Sequence, residues 1–483
     1  MRSFPQCMTR PRFLVCVAAV AAMVASSPAA VAMEGGSGEA PFVAPSAART
    51  EAPRAKPRAE AARPARQQTA APSARQKPAA RQGSRTTARA TSQPGSKSAR
   101  QAATETAPSG APSAGETRML ADEVVVRFRL SARQAAMDAL VRRLGLRHVE
   151  ARTFAAAGIT VHRYALGQGR SLTEIVAALE DDPAVVYAQP NYLYSLLQGA
   201  AAAAPGAQYA IDALSIPSAH TLTAGRGITV AVIDSGIDRT HPEFAGAAIE
   251  ARDVAGDAAT PPHAHGTSIA GVIAAHGTLM GVAPDVSLVG IRAFVDDGAA
   301  SGPYGTSWRI AAGLDAALKA DARVVNMSFA GPRDPLIEQG VEGLARRGVA
   351  MVAAAGNEGA SAPPQYPAAY DGVIAVTAVD SARSAFAAAN SGAYIAFAAP
   401  GVDIVSPAPA GAYQITSGTS LAAAHVSGVA ALLLARDPRL APPDIGRLLS
   451  AAATDLGEPG RDDTYGYGLP DAARALAAAR AGD

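Results

Sequence analysis

ITVAVIDSGID, residues 228–238, reads as a strand buried on both faces that ends in a carboxylate and a tight turn. Four more runs of the same kind follow: VSLVGIRAF at 286–294, RVVNMSF at 323–329, VAMVAAA at 349–355 and GVIAVTAV at 372–379. Helix-prone stretches lie among and after them, at Thr267–His276, Trp308–Ala320, Leu336–Arg347 and Ser420–Ala435. Near-continuous apolar strands split by helices predict a parallel sheet covered on both faces, an α/β doubly wound fold. Such sheets place their chemistry beyond the carboxyl ends of the strands, and that is where Asp234 stands.

Three further segments carry chemistry-bearing side chains beside small residues: HGTSIAG at 265–271, VAAAGNEG at 352–359 and GTSLAAAHVSG at 418–428. With Asp234 they supply the parts that acyl transfer needs: a nucleophile, a base, a group that orients the base, and a donor for the oxyanion. His265 is the candidate base and then acid, since an imidazole gives and takes a proton near neutral pH. Ser420 is the candidate nucleophile at the start of a helix, whose N-terminus favours an anionic intermediate. Asn357 would donate its side-chain N–H to the oxyanion, with the Ser420 backbone N–H as second donor. Each residue also has a plainer reading. Asp234 and Asn357 suit turns, and Ser420 suits a helix N-cap, which does not compete with catalysis. His263 and His265 form a His-x-His pair, but no third ligand stands at a recognised metal spacing. GTSLA is not Gly-x-Ser-x-Gly, which argues against an α/β-hydrolase esterase.

The order Asp…His…Ser is that of subtilisin. From about Gln208 to Ala475 the chain resembles the subtilisin-like (subtilase) serine endopeptidases, on the four segments just quoted. The resemblance implies catalysis by Asp234, His265 and Ser420, with Asn357 in the oxyanion hole. It implies that Ser328-Phe329-Ala330 with Gly331 and, opposite, Ser301-Gly302 with Tyr304 clamp an extended peptide between two strands. Gln365 would lie at the base of the primary specificity pocket, where relatives often have glycine. Other departures are Ser268 for a second histidine, Leu421 for methionine, Ala424 for proline and Ala330 for glycine. HGTLMGVAP at 276–284 lacks the Asn-rich insertion of calcium-binding members, so no metal and no cofactor are expected.

The first 32 residues read as a secretory signal: Arg2, Arg10 and Arg12, an apolar run from Phe13 to Ala25, and the small-x-small site Ala30-Val31-Ala32. An uncleaved anchor helix is the alternative; Ser26, Ser27 and Pro28 weigh against it. Both cysteines, Cys7 and Cys16, fall in this stretch, so a processed chain has no disulfide and no thiol nucleophile. Residues 33–117 are poor in large apolar side chains and are expected to be disordered. Their charge is basic, and a solvated linker and a tether to anionic surface polymers both fit it. The net charge of +2 for the whole chain carries no signature of a nucleic-acid binder.

Residues 118–197 change character. EVVVRFR (123–129), ITVHRYAL (159–166) and AVVYAQPNY (184–192) read as strands. Ser131 with Gln134, and Ser171 with Glu174, read as capping boxes before two amphipathic helices. A β-α-β-β-α-β order with one middle strand unassigned predicts a small α+β ferredoxin-like module. It resembles the inhibitory pro-domain of subtilases. A small-residue linker, 198–207, then leads into the catalytic domain at 208–483. The whole reads as an exported, monomeric zymogen, periplasmic or extracellular, that acts on polypeptides and is inhibited by its own pro-domain. An esterase or amidase, and a catalytically dead binding protein, are the rival readings.

Overall fold

The computed structural model describes residues 109–197, 208–256, 261–298 and 302–479. The expected signal, most of the basic segment, the linker 198–207 and Ser301 lie outside the described residues.

Seven parallel strands form the main sheet, in the order Ile395–Pro400, Val373–Val379, Ala350–Ala354, Val324–Met327, Thr229–Asp234, Ser287–Arg292, Ile249–Asp253. The five apolar runs read from sequence are the five inner strands. Strand order reverses around Thr229–Asp234, which puts Asp234 at the topological switch point of the sheet. Side chains alternate along that strand. Val230 and Val232 pack into a core shared with helices Ala264–Ala274 and Thr419–Arg436, whereas Ala231 and Ile233 face helices Ser307–Lys319 and Pro335–Ala345. Fully buried side chains such as Leu432 and Leu433 each contribute roughly 1.5–3 kcal/mol.

Both edge strands escaped the sequence reading. Ile249–Asp253 carries Glu250, Arg252 and Asp253 and is largely exposed, so no apolar run marks it. Ile395–Pro400, IAFAAP, is largely alanine, which does not mark a strand, and ends in proline, which an edge tolerates. The hairpin Ile404–Ala408 with Ala412–Thr416, and the helix Pro442–Ala452, are further elements that were not assigned.

The N-terminal module is a four-stranded antiparallel sheet, ordered Val185–Leu196, Met119–Phe128, Ile159–Ala165, Arg147–Phe154, with helices Gln134–Arg143 and Leu172–Glu180 packed on it. This is the ferredoxin-like order, and the unassigned strand is Arg147–Phe154. Within that strand only Phe154 is fully buried, so it shows no alternation. One capping expectation is corrected. The first helix starts at Gln134 after Arg133, without a side-chain cap, and the Gln134 amide donates instead to Asp138. The other holds in its serine half: Ser171 accepts from the Glu174 N–H at 3.4 Å.

The expected disordered segment also ends earlier than 117. Gly110 donates its N–H to Glu180 at 2.7 Å, and its carbonyl accepts from the Tyr192 hydroxyl at 3.0 Å. A Cβ on Gly110 would meet the Ala188 carbonyl at 2.3 Å. Backbone, not apolar side chains, holds this stretch, and composition is blind to that.

The module docks on the helical face of the catalytic sheet. Its turn after Phe154 enters between helices Ser307–Lys319 and Pro335–Ala345. There the Ala156 N–H donates to buried Asp315 at 2.7 Å, and Arg347 donates to the Ala155 carbonyl at 3.2 Å. Phe154 meets Trp308 edge-on, with ring centroids 5.0 Å apart.

Candidate active site

Asp234 ends its strand 1% exposed, and His265 enters a helix 2% exposed. The imidazole Nδ1 lies 2.9 Å from both carboxylate oxygens of Asp234. The backbone N–H and hydroxyl of Ser235 also donate to Asp234 Oδ1, at 2.7 and 2.9 Å, which fixes the carboxylate. These contacts assign Nδ1 as the protonated nitrogen and leave Nε2 as the free lone pair. Gly266 makes the approach possible, since a Cβ there would lie 2.2 Å from the Gly236 carbonyl. His263, the other half of the His-x-His pair, accepts the His265 N–H on its Nδ1 and so caps the helix.

Ser420 and Asn357 come from two other elements. Ser420 is the second residue of helix Thr419–Arg436, and Asn357 follows the strand Ala350–Ala354. Asn357 Oδ1 accepts from the Thr419 N–H at 3.2 Å and from the Thr419 hydroxyl at 2.9 Å. A backbone N–H can only donate, so the Asn357 amide has one orientation and its Nδ2 points away from Thr419. Below the helix start a polar chain holds the serine. Ser427 donates to Asn326, Asn326 to Ser328, and Ser328 to the Ser420 carbonyl, at 2.9, 2.8 and 3.0 Å.

Two of the candidate catalytic side chains keep a buried polar atom without a partner: His265 Nε2 and Asn357 Nδ2. An unpaired buried polar atom costs roughly 1–3 kcal/mol, so each of these two is a group held ready for a partner that the fold does not supply. The glycine at 418 keeps the space between Ser420 Oγ and Asn357 Nδ2 open. A Cβ on Gly418 would lie 2.8 Å from the Leu197 carbonyl oxygen, 3.2 Å from Ser420 Oγ and 3.3 Å from Asn357 Nδ2.

That Leu197 carbonyl belongs to the N-terminal module. The strand Val185–Leu196 continues past its own sheet and enters the cleft between two short edges. Leu193, Tyr194 and Ser195 pair antiparallel with Thr306, Gly305 and Tyr304; Ser195 and Leu196 pair with Ala330 and Phe329. The Leu197 N–H reaches the Ser328 carbonyl at 3.4 Å, and the Ser420 hydroxyl donates to the Leu197 carbonyl at 2.5 Å.

Of the residues expected to bind substrate, Tyr304, Ser328, Phe329 and Ala330 thus line the strand Leu193–Leu197. Gly302, at φ +72°, precedes the first edge. Gln365 is 1% exposed; it accepts from Arg118 Nη1 at 2.8 Å and donates to Glu358 at 2.8 Å. Sequence reasoning missed Thr419, Asn326 and Ser427, which aim the reactive groups. It also missed the Arg118 contact, which joins residues 247 apart in the chain. Nothing in the local pattern marks that pairing.

Comparison with known proteins gives a consistent picture. A family model described as the subtilase family matches residues 225–468, and one described as the fervidolysin N-terminal prodomain matches residues 105–191. Subtilisin E of Bacillus subtilis (strain 168) is 35% identical over 311 residues, covering 61% of this chain and 76% of that protein. Subtilisin DY of Bacillus licheniformis is 38% identical over 256 residues, covering 51% of this chain and 89% of its own length. Among solved structures, fervidolysin from Fervidobacterium pennivorans, a keratinolytic enzyme related to subtilisin, superposes with a TM-score of 0.67 at 26% identity. That match covers 76% of this chain and 62% of the fervidolysin chain.

Proposed function

Because this chain belongs to the subtilase family of serine peptidases and carries a fervidolysin-type pro-domain, we propose that it is an exported endopeptidase that cuts itself after Leu197. One observation carries this reading: a strand of the chain's own pro-domain lies in the cleft in substrate register and ends with its carbonyl on the Ser420 hydroxyl. An inhibitor that merely covered the site would not need that register.

In this reading Ser420 Oγ attacks the carbonyl carbon of the bound peptide while His265 Nε2 takes the hydroxyl proton. Asp234 holds the Nδ1–H and stabilises the imidazolium. The oxyanion receives the N–H of Asn357 Nδ2 and the Ser420 backbone N–H. His265 returns the proton to the departing amine, and the C–N bond breaks. Water, deprotonated by the same imidazole, then releases the acid from Ser420. The backbone edges 304–306 and 328–330 hold any extended peptide as they hold Leu193–Leu197.

The same reading takes residues 1–32 as a cleaved signal and 33–117 as a basic leader whose last residues, from 109 on, lie against the inhibitor. The domain boundaries are 118–197 for the inhibitor and 208–483 for a monomeric catalytic domain without a metal. The test uses the full chain and its Ser420→Ala variant. Casein hydrolysis is scored, and the N-terminus of each product is sequenced. The expected result is an active wild type beginning at Gln198 or further into the 198–207 segment, and an inactive, intact Ser420→Ala precursor. Equal processing of both would show that another protease matures the chain. Full caseinolysis by Ser420→Ala would falsify the nucleophile assignment.

A further inference from the structure

Tyr194 is the fourth residue on the N-terminal side of the proposed cut, and its side chain is fully buried in the catalytic domain. Its ring meets Phe329 edge-on, with centroids 5.8 Å apart and planes at 88°. The ring lies over Gly331, where a Cβ would come within 2.4 Å of it, so no other residue leaves room for an aromatic ring there.

The floor of this pocket is polar and offers two acceptors, the Pro332 carbonyl and the Asp334 carboxyl, whose pKa burial raises above its ordinary value. The Tyr194 hydroxyl donates towards the Pro332 carbonyl and towards Asp334 Oδ2, each at 3.3 Å. Asp334 is itself 0% exposed. Its two oxygens divide the work. Oδ1 caps helix Pro335–Ala345 by accepting from the N–H groups of Leu336 and Ile337 at 2.9 and 3.2 Å, and takes Gln189 Nε2 at 2.8 Å. Oδ2 is left to face the phenol. The Ser307 hydroxyl also hydrogen-bonds the carboxylate, and Tyr370 brackets the Asp334 backbone. The aspartate therefore cannot swing away. Burial and the Asp334 charge push the Tyr194 phenol well above its ordinary pKa, so it keeps its proton and remains a donor.

We propose that Gly331, Phe329 and Asp334 form a tyrosine-selective subsite, so that the mature enzyme prefers substrates with tyrosine at the fourth position before the cut. The inference rests on the proteolytic reading above and adds the side chain that the cleft selects. The physical basis is asymmetric. Phenylalanine fills the same volume but leaves a carboxylate oxygen and a carbonyl facing a ring edge. A site built to bond a substrate hydroxyl rejects the analogue that lacks it. The other positions in the cleft carry less information of this kind: Ser195 points to solvent and Leu196 is only half-buried.

The test uses the autoprocessed full chain and internally quenched peptides Asn-Tyr-Leu-X-Ser-Leu-Leu-Gln-Gly-Ala, copied from residues 191–200 with X varied. X is tyrosine, phenylalanine or O-methyltyrosine, the last keeping the ring and oxygen but losing the donor. The expected kcat/KM for tyrosine exceeds that for phenylalanine by about tenfold, with O-methyltyrosine lower still. Asp334→Ser keeps an N-cap but withdraws Oδ2, and the tyrosine-to-phenylalanine ratio should fall to about one through loss of rate on the tyrosine peptide. Asp334→Asn should fall between the two. Equal rates for tyrosine and O-methyltyrosine, or a ratio that Asp334→Ser leaves intact, would overturn the proposal. Casein hydrolysis in the same preparations separates the two levels. An inactive wild type defeats the proteolytic reading and this inference with it, whereas an active one with equal peptide rates defeats the tyrosine subsite alone.

Discussion

Thr419 sets the orientation of Asn357. Its N–H and hydroxyl both donate to Asn357 Oδ1, so the amide nitrogen faces the space beside Ser420 with no partner of its own. The residue just before the proposed nucleophile thereby aims the donor that the reaction would use.

Asn357→Leu loses the two bonds from Thr419 as well as the Nδ2 donor, and should lower kcat with little change in KM, because the only one of these bonds made to the substrate forms to the oxyanion. The size expected is about 10²–10³, the figure known for the corresponding donor of a subtilisin rather than one computed from these distances. Thr419→Val should give a smaller loss of the same kind. Steady-state kinetics on a peptide substrate check both, and a rise in KM with kcat preserved would mean that Asn357 binds substrate instead.

Gly343 faces the pro-domain turn so closely that a Cβ would lie within 1.7 Å of the Ala156 carbonyl oxygen. Gly343→Val should spoil that docking. Activity should appear sooner after self-cleavage, by at least about tenfold in rate, with casein hydrolysis by the fully matured enzyme unaltered. A time course of activity beside the processing gel measures this. An unchanged lag would show that the turn adds nothing to inhibition.

Glu243 is fully buried, and its carboxylate accepts from the N–H groups of Gly277, Thr278 and Leu279 and from the Tyr413 hydroxyl at 2.6 Å. The loop 276–284 therefore turns donors inward, where a cation would need acceptors. A chelator should change neither activity nor Tm. Burial alone would raise the Glu243 carboxyl, but these donors outweigh it and hold the group below its ordinary value. A depressed folded pKa stabilises above the unfolded value of about 4.5, and that contribution is lost as pH falls through the folded value. Glu243→Gln should lower Tm by roughly 4–8 °C at neutral pH, for a loss of about 2 kcal/mol, and the gap from wild type should narrow below about pH 4. Casein hydrolysis with and without chelator, and thermal melts of both proteins at several pH values, check these points.

Gln365 is engaged by Arg118 and Glu358, so Gln365→Gly removes both a bond to the pro-domain and side-chain volume. The variant should accept large aromatic residues immediately before the cut better than wild type does. A wild type that already prefers phenylalanine or tyrosine there, unchanged by the substitution, would refute this.

How far the sequence reaches depends on what kind of signal a residue leaves. His265, Asn357 and Ser420 are legible because close approach forces small neighbours beside them, Gly266, Gly356 and Gly418, and Asp234 because the turn after it needs Gly236 at φ +96°. Inner strands are legible because burial on both faces leaves only apolar side chains. Ile249–Asp253 and Arg147–Phe154 are not, since an edge strand is half solvated and can carry any charge. Least legible are the contacts across the chain. Tyr194 and Asp334, 140 residues apart, read as an ordinary strand residue and an ordinary N-cap until the cleft brings them together.

Arg147–Phe154 at one end and the two cleft edges at the other belong to one hydrogen-bonded sheet, with Val185–Leu196 crossing between them. While the chain is whole, that crossing strand meets the cleft at an effective concentration of about millimolar, set by the short tether, and no change of volume alters its occupancy. A single cut beyond Leu197 turns the same contact into a bimolecular equilibrium. From then on dilution itself governs how much enzyme is free, so a crowded compartment keeps the enzyme quiet and an open one releases it.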